Sequence, residues 1–498
     1  MLKSLPLCVQ RRPFYRAIAL GLILAVFFFH LGFAPSFDLV PDEAYYWLWS
    51  KHPAFSYATK GPLVAWAIAI GSFFFGDSVL GVRIMSVVFG LGSGLFLYLL
   101  AEELFGAFPA LLAVIFAAGC PLFSIGSVLM TIDSPSLFFW LLSAFLFLKA
   151  LSEDKLRYWI WAGISVGLGF LAKYVNGLEI LSFSLYLALQ PQRRSLLCSN
   201  RFFSFLSSAL LVSLPVWIWN FNHGWVTVFH LLHRGGLTSS LGFHPSELLK
   251  FFQEQLLSYS PFLFVGILWA VLLALFIPSL RSPQALYCLT LFSPVFLFYF
   301  FLSFQQAAKG NWTVTAISSG IILLAYVCSK FWALPTLKLF VLGGLLLSFL
   351  QTALLHGESL SFLGVKPGKD PLLRPRGWQS VAIQLKEIQD HFHPDFFIAS
   401  DYGLAAALNF LLQNCRFYLP TDLRSQTQYA YWESYSVKPH CRAIYISNDG
   451  NAFLPQCLKK EFGQIEPIGG FWREYKGKKI EYYRLWLLLG SPATASEK

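Results

Sequence analysis

Charge is scarce in this chain. Lys and Arg number 37 and Asp and Glu 26 among 498 residues, 13% in all, while 56% of the residues are hydrophobic. An ordinary soluble protein carries ~25% charged residues, so a soluble globule is excluded. Paired cysteines are lacking too. The eight present are scattered, with no Cys-x-x-Cys and no paired Cys/His spacing, which argues against the common zinc sites and a disulfide framework. At most one bridge could join Cys415, Cys441 and Cys457 if that region meets an oxidising compartment. No convincing Gly-rich phosphate loop is present. The net charge of +11 does not point to nucleic acid, because the basic residues lie mostly at the ends of apolar segments, where the positive-inside rule and anionic lipid account for them.

What charge there is falls unevenly: 32 charged residues in the first 354 positions and 31 in the last 144. The chain therefore divides near His356, into a polytopic membrane body at 1–355 with outer loops at 35–78 and 221–258, and a water-facing C-terminal domain at 356–498. A span needs roughly 20 mostly apolar residues. Such runs occur near 17–34, 79–101, 107–124, 133–150, 158–173, 174–190, 202–220, 259–278, 285–303, 313–329 and 338–355. The fold class expected is an all-α polytopic membrane protein of about 11 to 13 transmembrane helices with a small C-terminal α/β domain. The 14-residue run 62–75 is short enough for an interfacial or re-entrant helix. In the tail, 377–390 has helical apolar spacing, and FFIAS at 396–400 and RAIYISN at 442–448 read as strands.

Lys3, Arg11, Arg12 and Arg16 precede the first apolar run, and no small-residue cleavage pattern follows it, so the N-terminus is expected in the cytoplasm. Alternation then puts Lys149, Lys155, Arg157, Arg193, Arg194, Arg201, Arg281, Lys330 and Lys338 on the same side, 13 basic residues with the first four, against 7 elsewhere in the body. An odd number of crossings exports the C-terminal domain.

Polar residues cluster in Asp38-Leu-Val-Pro-Asp42-Glu43-Ala-Tyr-Tyr-Trp47 and in Ser56-Tyr-Ala-Thr-Lys60-Gly-Pro. A carboxylate there could act as general base towards a hydroxyl, and the aromatic rings suit a sugar face or a membrane interface. Alternatively, Pro41-Asp42 could start an interfacial helix with Asp42 as its cap. Asp133 opens a strongly apolar run, where an ionisable residue is costly and by default functional, although Pro135 just behind it also fits an N-cap. Lys60, Arg83, Lys173 and Lys309 are basic residues at the outer boundary, against the inside trend; together they could neutralise a phosphate, and singly each could snorkel to headgroups. His230 and His233 would share a helix face, which suits a metal or an ordinary amphipathic helix.

The runs PDEAYYWLWS, SYATKGPLVAW, GVR at 81–83, TIDSPSLFFW at 131–140, GLGFLAKY at 167–174 and KGNW at 309–312 together resemble the bacterial branch of glycosyltransferase family 39, related to protein O-mannosyltransferases and the lipid A aminoarabinose transferase. The resemblance runs in order through most of the chain. It implies a GT-C fold with an active site facing away from the cytoplasm, in the bacterial inner membrane. It also implies inverting transfer of a sugar from a polyprenyl-phosphate donor to a lipid, glycan or protein acceptor, in cell-envelope chemistry such as lipid A modification. Carried over, the family's acids fall on Asp42, with Glu43 beside it, and on Asp133; its donor-phosphate basic residues fall on Lys60, Arg83 and Lys173. Where the aminoarabinose transferase has a Glu proposed as metal ligand this chain has Thr59, so no metal or other cofactor is expected, and membrane lipids rather than nucleic acid are the further partners. A polytopic transporter or a non-catalytic lipid-binding assembly subunit would share the topology, but no internal repeat of the transporter kind is visible.

Overall fold

The computed structural model describes residues 12–235, 242–425, 427–448 and 454–490. Lys3, Arg11, residues 236–241 of the second outer loop and residues 491–498 of the expected C-terminal domain lie outside them. Two compact units form. One comprises the described residues up to Ala34, with Ala54–Ala67 and Arg83–His356. The other comprises Pro35–Pro53, Ile68–Val82 and the chain from Gly357 onward.

The first unit is a helical bundle, as its apolar runs require. All eleven runs form helices, and seven are long and apolar enough to cross a membrane by themselves: Arg12–Phe33, Val79–Phe105, Asp133–Glu153, Asn200–Asn222, Pro283–Leu302, Gly310–Lys330 and Pro335–Leu355. Pro245–Tyr259 and Pro261–Phe276 make an eighth candidate only as one span bent by 110°. Ala107–Ala118, Leu156–Ala172 and Leu178–Leu189 are shorter. The 62–75 run is a helix over Leu63–Phe75. Gly310–Lys330 is the hub, with 89% of its apolar window buried, whereas Arg12–Phe33 and Pro335–Leu355 bury 17% and present their side chains outward.

Polar contacts mark the two ends of this bundle. At one end Arg12 and Arg16 pair with Glu102 at 3.2 and 2.6 Å, Lys149 pairs with Glu103 at 2.9 Å, and Arg201 pairs with Asp154. At the opposite end of the same helices, Ser124 Oγ lies 3.0 Å from His30 Nε2 and 3.4 Å from His356 Nε2. Asp133 starts the helix whose far end holds Lys149, so it belongs to the His356 end.

The second unit is α/β. Strands β1 (Phe396–Ala399), β2 (Phe417–Tyr418), β3 (Arg442–Asn448), β4 (Gln464–Tyr475) and β5 (Lys478–Leu489) form a sheet of order β2-β1-β3-β5-β4. β1 pairs parallel with β2 and β3, and β5 pairs antiparallel with β3 and β4. The expected helix and two strands occur at Trp378–Phe392, β1 and β3. The long β4–β5 hairpin was not foreseen. It turns on Lys476-Gly477, both with positive φ, the backbone a tight hairpin demands.

Helix Pro41–Lys51 belongs to this unit rather than to the bundle. Its aromatic residues Tyr45, Tyr46, Trp47 and Trp49 are buried. Tyr45 packs on Tyr402 and stacks on Tyr429, with ring centroids 4.8 and 5.8 Å apart, and Trp47 meets Phe410 edge-on at 5.1 Å. The sugar-face and membrane-belt readings of these rings are thereby corrected: their large apolar area docks the helix onto the α/β fold.

Candidate active site

In the bundle, Asp133 and Lys173 meet. Asp133 is the first residue of its helix, after Ile132, and makes no cap bond to its own backbone. Its Oδ1 accepts from Lys173 Nζ at 2.8 Å and its Oδ2 from Asn311 Nδ2 at 2.7 Å. Lys173 Nζ also donates to the Asn311 carbonyl at 3.0 Å. The side chains of the pair are 9% and 11% exposed, so removing either partner would strand a buried charge, at a cost of about 3–5 kcal/mol. Local sequence explains the meeting. Helix Leu156–Ala172 ends where Lys173 turns extended, and the following turn Tyr174–Gly177 is pinned to helix Asp133–Glu153 by Asn176 and Ser136: Ser136 Oγ donates to Asn176 Oδ1 at 2.5 Å, and Asn176 Nδ2 to the Ser136 carbonyl at 2.9 Å.

Lys60 is carried by a loop pressed against the same place. Tyr57 N donates to the Lys60 carbonyl at 3.2 Å, Thr227 Oγ1 donates to the Tyr57 carbonyl at 3.3 Å, and Ser56 Oγ lies 3.3 Å from Tyr174 Oη. Any Cβ on Gly61 would sit 2.0 Å from the Leu171 carbonyl oxygen, so only glycine lets this loop approach the end of helix Leu156–Ala172, just before Lys173. His230 faces the same charges: burial first, then Lys60, Arg234 and His233, hold its imidazole below the usual range. Arg234 lies over the Trp312 ring at 5.3 Å, next in sequence to Asn311. Lys60 and Arg234 thus both act on His230, and Arg234 lies over Trp312, next in sequence to the Asn311 that bonds Asp133, while Glu254 accepts from Gly310 N at 3.2 Å on the other side of Asn311. Arg234 was not singled out from the sequence, where a lone arginine in a polar loop carries no signal; Asn311 was visible only as part of KGNW.

Arg83 is fully buried and donates Nη1 to the Ala34 carbonyl at 2.7 Å, where the first helix has ended. Lys309 is exposed. Among the described residues no three His, Cys, Asp or Glu side chains group as a metal site.

Asp42 and Glu43 lie in the second unit and differ sharply. Val40 caps the helix and Pro41 is its first residue, so Asp42 is not the cap. Glu43 takes that part: it is fully buried and accepts from Val40 N at 3.1 Å. The Asp42 side chain is exposed, and Tyr402 Oη donates to its Oδ1 at 3.3 Å.

Comparison with known proteins bears on the fold and the family. Residues 51–219 match the family described as dolichyl-phosphate-mannose-protein mannosyltransferase, a stretch containing Lys60, Arg83, Asp133 and Lys173. The chain is 24% identical over 459 residues to the lipid A galacturonosyltransferase RgtD of Rhizobium johnstonii, covering 90% of this chain and 93% of that protein. Among solved structures, ArnT from Cupriavidus metallidurans bound to undecaprenyl phosphate superposes with a TM-score of 0.62 at 14% identity, covering 97% of this chain and 98% of ArnT. The apo oligosaccharyltransferase of Archaeoglobus fulgidus gives 0.54 at 13% identity, over 89% of this chain and 70% of its own. These structural likenesses establish the fold. The chain is a polytopic membrane glycosyltransferase of GT-C fold, similar to glycosyltransferase family 39.

Proposed function

We propose that the protein transfers a uronic acid from a polyprenyl-phosphate donor to a lipid A-type acceptor at the outer face of the bacterial inner membrane, with inversion. The observation that carries this reading is the buried Asp133–Lys173 pair, bonded to Asn311, with Arg234 over the adjoining Trp312 and Lys60 on the loop packed against the helix end before Lys173. A sugar phosphodiester plus a sugar carboxylate brings two negative charges, for which Lys60, Lys173 and Arg234 offer cationic partners, and similarity to a galacturonosyltransferase over 90% of the chain supports the same sugar class.

The chemistry follows from the residue types. The acceptor hydroxyl oxygen attacks the anomeric carbon from the face opposite the phosphate, the carbon–oxygen bond to phosphate breaks, and the lipid phosphate leaves with one further negative charge. Lys60 and Lys173 stabilise that charge, with Arg83 adding to the field from its buried site. Asp42 takes the hydroxyl proton as general base, Glu43 holds the helix start that carries it, and Asp133 orients Lys173 and the sugar. No acid is needed, because phosphate is already a good leaving group.

The test is transfer in membranes containing the purified chain, lipid A and polyprenyl-phosphate galacturonate, read by mass spectrometry of the lipid. Hexuronic acid on lipid A supports the proposal. A neutral sugar on the lipid would correct the donor. Uptake of sugar into sealed vesicles without lipid product would overturn the enzyme reading in favour of transport.

A further inference from the structure

The acid assigned here as base is touched by a residue of the C-terminal domain. Among the described residues, Tyr402 is the one side chain that hydrogen-bonds the Asp42 carboxylate, and that bond is also the one the Tyr402 hydroxyl makes.

Three features fix Tyr402. Asp401 caps its helix, Oδ1 accepting from Gly403 N and Leu404 N at 2.9 Å each. Gly403 lies against Pro41: a Cβ there would come within 2.9 Å of Pro41 Cβ, so glycine lets the starts of helices Tyr402–Leu411 and Pro41–Lys51 touch. The Tyr402 ring packs on Tyr45, one turn beyond Asp42, and Tyr45 is itself held by Gln428 N donating to its Oη at 2.8 Å. Desolvation first, and the Asp42 charge second, push the Tyr402 phenol above its usual range. The hydroxyl therefore keeps its proton and stays a donor.

An exposed aspartate has two free side-chain torsions, and an attacking hydroxyl needs one oxygen in one place. We propose that Tyr402 is a positioning residue for the Asp42 base: its hydroxyl holds Oδ1 and leaves Oδ2 to take the acceptor proton. Tyr402 keeps its own proton throughout, so the step stays balanced. The assignment rests on the reading of Asp42 as base, and it makes the C-terminal domain part of the catalytic apparatus.

The experiment uses the full chain in detergent or liposomes with polyprenyl-phosphate galacturonate and lipid A. Tyr402→Phe keeps the ring against Tyr45 and removes the hydroxyl. Loss of an exposed bond to a charged group should lower kcat by ~5- to 30-fold, with donor KM and melting midpoint unchanged. Tyr402→Leu, of different shape, should show the same kcat loss in its folded fraction. In an Asp42→Asn background, Tyr402→Phe should cost nothing more. A Tyr402→Phe enzyme with wild-type kcat, or one that slows Asp42→Asn by the same factor as wild type, overturns the proposal. If Asp42→Asn is slow and Tyr402→Phe is not, the base reading stands and only the Tyr402 assignment falls; a fully active Asp42→Asn would remove both.

Discussion

Asp42 and Glu43 are neighbours with opposite fates, and the difference makes the base assignment testable. Because Val40 and Glu43 close the helix start, an amide at position 42 costs no cap, keeps side-chain volume and can still accept from Tyr402. Asp42→Asn should therefore fold normally and lose transfer by at least the ~10²-fold of a missing general base. Sugar transfer per folded molecule, with donor binding checked separately, decides it; full activity would sink the assignment. Glu43 is a poor substitute candidate now that it is buried and engaged with backbone. The two outer cations also part company. Lys60→Met should leave folded protein near its normal level and weaken donor use by ~10- to 100-fold, the worth of one charge-assisted contact. Arg83→Met leaves the Ala34 carbonyl without its buried donor, so its folded yield and thermal midpoint should fall along with activity. An Arg83→Met protein as stable as wild type would return that residue to a purely electrostatic role.

At the scale of elements, the loop at 56–61 shows how backbone contact rather than side-chain chemistry seats the Lys60 loop against the helix end before Lys173. Gly61→Ala drives a methyl into the Leu171 carbonyl oxygen, and since both atoms are held by backbone the strain should cost about 1–3 kcal/mol and displace Lys60. Gly21→Ala, in the outward-facing first helix with nothing within 4 Å, should be neutral or slightly stabilising. Thermal midpoints and transfer rates of the two variants side by side test this; equal behaviour would mean that the loop yields freely. The same contrast explains what the sequence made legible. Long apolar runs announce themselves, so the eleven helices fall where hydropathy puts them, and short runs of aromatic and β-branched residues reveal β1 and β3. The rungs Ser136–Asn176 and Ser143–Glu179, which knit helix Asp133–Glu153 to the chain after Lys173, were not visible, because one polar residue in an apolar helix has no periodicity to read. Nor was the seating of helix Pro41–Lys51 on Tyr402–Leu411: it joins residues about 360 positions apart, and burial of Tyr45 and Trp47 cannot be told from a membrane belt by composition. The motif residues at 42, 60, 133 and 173 were legible through resemblance, while Arg234 needed the fold.

At the scale of the whole molecule, orientation no longer depends on counting crossings. The first helix begins near Arg12 and Arg16, which bind Glu102, and has His30 in its last turn; the last begins at Pro335 near Lys338 and is capped by His356, and both histidines meet Ser124. Whatever number of helices lies between, the described chain enters the bundle at one end and leaves it at the other. Lys149, Lys155, Arg157, Arg201, Lys330 and Lys338 lie at the Arg12 end, and each basic side chain near an anionic cytoplasmic leaflet is worth about 1 kcal/mol, so that end should face the cytoplasm. His356, the last residue of the bundle, then lies at the far end, the end that also holds Asp133 and Lys173. A reporter that is active only in the cytoplasm should be silent when fused beyond Gly490 and bright when placed in the turn at Asp154-Lys155. Signal from the C-terminal fusion would reverse the bundle and move the proposed transfer to the cytoplasmic face. Silence from both would mean instead that the Arg12 end and the His356 end do not lie on opposite faces of the membrane.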